Sequence, residues 1–114
     1  MEQFSTRQNK ISRLLQKELA GIFISELKSD FPGLLISVTE VRVTSDLSLA
    51  RCFFSIYPSE KSEATLNHIR HMVRPIRGIL GHKVGKQIRI IPELEFFIDD
   101  TLNYLEKIDR LLKE

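Results

Sequence analysis

Apolar residues along this chain switch between two spacings, helical and alternating, and the order of the switches restricts the fold more than any single motif does. Over residues 7–27, Ile11, Leu14, Leu15, Leu19, Ile22, Phe23 and Leu27 follow the rhythm of an amphipathic helix, with Lys10, Arg13 and Lys17 together on the opposite side. Ser29 to Gly33 then supplies turn and breaker residues. Leu34, Ile36 and Val38 alternate with polar neighbours, whereas Val41 and Val43 lie on the other parity. A strand with a bulge near Thr39 and Glu40 reconciles the two. After a polar turn at Thr44 to Ser48, a second strand over 49–57 places Ala50, Cys52, Phe54 and Ile56 on one face, and the two strands predict an antiparallel hairpin.

Beyond Pro58 the helical spacing returns. Ser59 is a candidate N-cap, with Glu60 and Glu63 in the first turn, and Leu66, Ile69 and Val73 continue the apolar face. Pro75 lacks an amide donor and crowds the preceding turn, so the helix should kink or restart there and run on to about Lys86. Ile88, Ile90, Leu94, Phe96 and Ile98 alternate as a third strand, with Pro92 marking an edge or bulge. Residues 101–113 return to a helical face through Tyr104, Leu105, Ile108, Leu111 and Leu112. The expected order is α-β-β-α-α-β-α: an α+β fold in which a three-stranded mixed sheet carries helices on one face, with a kinked helix pair at Pro75. The other face needs cover or a partner, and Phe53, Tyr57 and Phe97 fall on that less buried parity, where packing beneath a helix is the expectation and base stacking the alternative.

At 114 residues one domain over 1–114 is expected, large enough for folding to remove roughly 65% of the unfolded chain's surface from water. No apolar stretch approaches the ~20 residues of a membrane span, and the N-terminus leads into a charged amphipathic segment, so a cytoplasmic protein without a membrane partner is expected. The lone cysteine, Cys52, sits among core-like neighbours and reads as a small buried hydrophobe.

Charge is unevenly distributed. The 29 residues from Ala64 to Pro92 contain no acid, yet carry Arg70, Arg74, Arg77, Lys83, Lys86 and Arg89. The N-terminal 17 hold four basic residues against one acid, and Glu93 to Glu114 hold seven acids against three basic residues. A long one-signed stretch raises the local potential at the cost of self-repulsion, which points to a polyanion. RNA phosphates are therefore expected to meet Arg70, Arg74, Arg77, Lys83, Lys86 and Arg89, joined by Lys10, Arg13 and Lys17; Lys83 falls among Ile76, Ile79 and Leu80, where it could instead snorkel. Gly78, Gly81 and Gly85 form a stripe without side chains near Arg74 and Arg77, open to close approach of RNA backbone or of another helix. The alternative reading is a protein-interaction module whose basic face meets an acidic protein partner.

Enzymatic readings find little support. His68 and His71 lack thiol or carboxylate neighbours in the basic block, and Glu93, Glu95 and Asp99 on one strand parity are explained by an exposed face. No nucleophile context or phosphate loop occurs. A non-enzyme without metal, cofactor or small-molecule substrate is expected.

Several segments combine into a likeness. Ile36 to Val41, Ser45-Asp46-Leu47, Ala50-Arg51, Ser55, Ile76-Arg77, Leu80-Gly81, and Arg89 to Leu94 running through Phe96-Phe97 to Asp99-Asp100 resemble the bacterial ribosome-binding factor A family over about residues 6–112. The resemblance implies a type II KH-like RNA-binding domain that assists late maturation of the small (30S) ribosomal subunit through its 16S rRNA, including the 5′ end region, and matters especially in the cold; a monomer is expected. That family replaces the KH backbone-clamping GxxG loop with a kink at an Ala-x-Gly motif. Here the corresponding stretch reads Met72-Val73-Arg74-Pro75, so proline is expected to supply the kink instead.

Overall fold

The computed structural model describes residues 4–99, so the helix expected over 101–113 lies outside the described residues. The first helix, α1 (Thr6–Ile24), starts where Ser5 and Gln8 satisfy each other's backbone. Gln8 N–H donates to Ser5 Oγ at 3.1 Å and Ser5 N–H donates to Gln8 Oε1 at 2.8 Å. This reciprocal cap removes two orphan donors from the helix end. Gln8 is itself buried, and its Nε2 donates to the Val43 carbonyl at 3.0 Å, fixing the helix start to the end of the first strand. Ser5→Ala should cost about 1 kcal/mol, measurable as a lower urea midpoint at unchanged m.

The strands are β1 (Leu35–Val43), β2 (Leu49–Tyr57) and β3 (Glu93–Ile98), in sheet order β1-β2-β3. β1 and β2 form the expected antiparallel hairpin, and β3 joins β2 in parallel, as a strand reached through a helical crossover can. The register shifts between Val38 and Glu40, leaving Thr39 as the extra residue. That shift brings Val38, Val41 and Val43 to the same buried face despite their opposed parities.

One apolar core lies between the helices and this face of the sheet. Leu15, Leu19 and Ile22 of α1 and Ala50, Cys52 and Phe54 of the central strand all belong to it and are fully buried. Phe54 packs edge-on against Phe23 at 5.4 Å between ring centroids and against Phe96 at 5.6 Å. Burial pushes the Cys52 thiol up to about 12, leaving it un-ionised at neutral pH.

The helix pair α2 (Ser62–His71) and α3 (Val73–Val84) is broken, but the break falls at Met72, three residues before Pro75. A proline ring collides with the carbonyl four residues back, here that of His71, so the chain must leave the first helix by then. Pro75 itself sits in the first turn of α3, where a missing N–H leaves no bond unmade. Ser59 does not cap α2. It opens a short 3-10 turn, Ser59–Lys61, and the α-helix starts at Ser62. The third strand is shorter than its alternation suggests: residues 85–92 form a connector, and Ile90, expected within the strand, lies outside it and is 76% exposed.

Phe53 and Phe97 lie on the face of the sheet opposite the core, stacked on one another at 5.4 Å with the Arg42 guanidinium over the Phe53 ring. Tyr57 is largely exposed. The expectation that these rings pack beneath a helix is therefore not met among the described residues.

Candidate nucleic-acid interface

The basic residues separate into three groups once the chain is folded. Arg70 faces β3 and Arg77 the residues just before it, on the side where β3 has no strand partner among the described residues. Arg70 Nη2 donates to the Phe96 carbonyl at 2.8 Å, and Arg77 donates to Ile91 at 2.7 Å and to Pro92 at 3.2 Å. These guanidinium groups satisfy main-chain acceptors at an edge that would otherwise invite another strand. Between them Arg74 is exposed and forms no ion pair among the described residues. Arg77→Ala should therefore cost about 1–3 kcal/mol of stability by urea unfolding while Arg74→Ala leaves it within about 0.5 kcal/mol.

Lys83 forms the second group. It does not snorkel but lies 2.8 Å from Glu26, linking α3 to the residues just after α1. The hydrogen bond from Lys83, then that from Ser25, holds the Glu26 carboxyl at about 2, below its ordinary 4.5. A carboxylate with a depressed folded pKa contributes stability above its unfolded pKa and loses it as pH falls toward the folded value. The urea midpoint should thus fall between about pH 5 and pH 2, with a shallower fall in Lys83→Met. The pair is solvent-exposed, so the difference is small and shrinks with salt.

The third group is the exposed side of α1. Arg7, Lys10, Arg13 and Lys17 recur at helical spacing, all exposed, and none has an acidic partner among the described residues. The connector after α3 runs beside the first half of this helix. Together with the turn between β1 and β2 it encloses a cleft of about 660 Å³, at which Arg7, Lys10 and Arg89 meet. Lys86, also exposed and unpaired among the described residues, lies at the start of the connector. Arg7 was not among the residues singled out from the sequence; its signal was the three-residue spacing to Lys10.

The glycine stripe divides as well. A side chain at Gly78 would meet open space, whereas a Cβ at Gly81 would lie 3.7 Å from the Ile91 side chain of the connector, an ordinary contact distance. A Cβ at Gly85 would come within 2.6 Å of the Gly81 carbonyl oxygen, so this position turns the chain out of α3 with no room for a side chain. Gly78 and Gly85 are exposed and offer bare backbone to an incoming molecule, whereas Gly81 is partly covered.

Other chemistry is scarce among the described residues. The His68 ring packs at a tilt against Phe31 with 4.7 Å between centroids, and His71 Nδ1 lies 2.7 Å from the Asn67 carbonyl. No group of three His, Cys, Asp or Glu side chains there could hold a metal, and no helix there is long and apolar enough to cross a membrane.

Comparison with known proteins agrees with this architecture. A family model described as ribosome-binding factor A matches residues 7–112. Ribosome-binding factor A of Cytophaga hutchinsonii is 40% identical over 96% of this chain and 83% of its own. That of Flavobacterium johnsoniae is 45% identical over 95% and 84%. The crystal structure of ribosome-binding factor A from Thermus thermophilus superposes with a TM-score of 0.63 at 25% identity, covering 78% of this chain and 92% of that one. A second Thermus thermophilus structure, a homology model fitted into the cryo-EM map of a complex with the 30S subunit, gives 0.58 at 21% identity over 85% and 96%.

Proposed function

The chain belongs to the ribosome-binding factor A family, and from that premise we propose that it binds the immature small ribosomal subunit through 16S rRNA and assists late maturation, including processing of the 5′ end. The observation that carries the RNA part of this reading is the unpaired cationic side of α1, Arg7 to Lys17, continued across the cleft by Arg89. One-signed charge at helical spacing suits a phosphate backbone, whose contacts position a protein without reading sequence. Lys86 extends the cationic surface, Arg74 stands apart from it at the β3 edge, and Arg70, Arg77 and Lys83 serve mainly to hold the fold. The protein acts as a monomeric binding factor in the cytoplasm, and its action is to stabilise one arrangement of the RNA.

Fractionation of cell extract on a sucrose gradient tests this reading. The protein should travel with free small subunits rather than full ribosomes, and cells lacking it should accumulate 16S precursor with an extended 5′ end, more so in the cold. Co-migration that survives RNA digestion at moderate salt would instead favour an acidic protein partner.

A further inference from the structure

The cleft beside α1 has an interior unlike its rim. Its lining is largely aliphatic, formed by Ile11 and Leu14 of α1, Leu47 of the hairpin turn, and Ile88 and Pro92 of the connector, with the exposed Ile90 at its mouth. Its rim carries Arg7 and Lys10 on one wall and Arg89 on the other. Ile90 is 76% exposed, so its apolar side chain at the cleft is open to an incoming molecule. Leu47 adopts φ 62°, the left-handed region that glycine or asparagine occupies without strain. A branched apolar side chain held there at a conformational cost directs attention to what it lines.

We propose that this cleft takes an unpaired base of single-stranded RNA, with the phosphates on either side of that base held by Arg7 and Lys10 on one wall and by Arg89 on the other. This rests on the RNA reading above and assigns a specific element to it. A base removed from its stack exposes two apolar faces, which aliphatic walls can cover as aromatic platforms do elsewhere. Its polar edge would find Gln87 and Ser48 at the cleft. The one carboxylate at the cleft among the described residues, Asp46, already accepts hydrogen bonds from Thr44 and Ser48. An acidic peptide could also seat an apolar side chain here, but the cations continue past the cleft along α1 to Arg13 and Lys17, which fits a longer polyanion. A duplex fits poorly, because its bases are already stacked and paired.

The test measures binding of the full-length protein, and of Ile90→Ser and Lys10→Ala, to an unstructured RNA oligonucleotide carrying 2-aminopurine, to an RNA hairpin duplex, and to small ribosomal subunits. Because Ile90 is exposed, its replacement leaves the fold intact, which circular dichroism verifies. Ile90→Ser should weaken oligonucleotide binding about fivefold to tenfold with the salt slope unchanged, and leave the duplex within about twofold. Lys10→Ala should instead make the salt slope shallower by about 0.7. Addition of the unaltered protein should change 2-aminopurine fluorescence as the base leaves its stack. Equal binding of the oligonucleotide by the unaltered protein and Ile90→Ser overturns the base assignment while leaving RNA binding standing. Failure of the unaltered protein to bind either RNA overturns both readings, and loss of subunit binding alone in Ile90→Ser identifies a protein segment as the occupant.

Discussion

Phe54→Ala should lower the unfolding free energy by about 3–5 kcal/mol, seen in urea as a large drop in midpoint. Phe54 is fully buried at the centre of β2 and is the ring on which Phe23 from α1 and Phe96 from β3 converge. Truncation removes those contacts and leaves a cavity that three elements must share, and close-packed interiors relax only partly around such a void. Since domains of this size are stable by about 5–15 kcal/mol, the variant forfeits a large part of the total. Phe53→Ala provides the contrast, because Phe53 is half-buried on the opposite face and stacks mainly on Phe97. It should cost no more than about 2 kcal/mol. Equal losses at the two positions would mean that the faces of the sheet do not differ in the way their burial indicates.

The hairpin, the bulge and the first helix were legible because each left a periodic signature that a single residue could not counterfeit. Val41 and Val43 on the wrong parity could reach the core only through an extra residue, and Thr39 is that residue. Pro75 announced a break correctly but not its place, since its steric effect acts four residues upstream. Ile88 and Ile90 imitated a strand; the pattern failed because Pro92 cannot donate and the chain there runs beside α1, with Ile88 inward and Ile90 outward. Charge was the least legible. The acid-free block is real in sequence, but Arg70 and Arg77 are drawn onto carbonyls of residues 91–96 and Lys83 onto a glutamate nearly sixty residues earlier. Such long-range pairings leave no local trace. Arg7, outside the block, reaches the cleft only because folding carries the connector back along the first helix.

Removing the cationic side of α1 should change the character of RNA binding, not only its strength. If Arg7, Lys10, Arg13, Lys17 and Arg89 each neutralise one phosphate, log affinity should fall against log salt with a slope of about −3.5 to −4.5, the lower figure for single strands. Affinity for RNA should then drop about 100-fold to 500-fold between 50 and 200 mM salt. With Arg7, Lys10, Arg13 and Lys17 all replaced by alanine, one of the five contacts remains and the same salt step should weaken binding only about threefold. The four side chains are exposed and unpaired among the described residues, so stability should be little affected. Arg70, Arg74 and Arg77 provide the control surface: if the quadruple variant keeps the steep slope while Arg74→Ala makes it shallower, the phosphates lie along α3 and the β3 edge instead. Titrations monitored by fluorescence anisotropy at four salt concentrations decide between the two faces, because counterion release counts contacts irrespective of which bases are present.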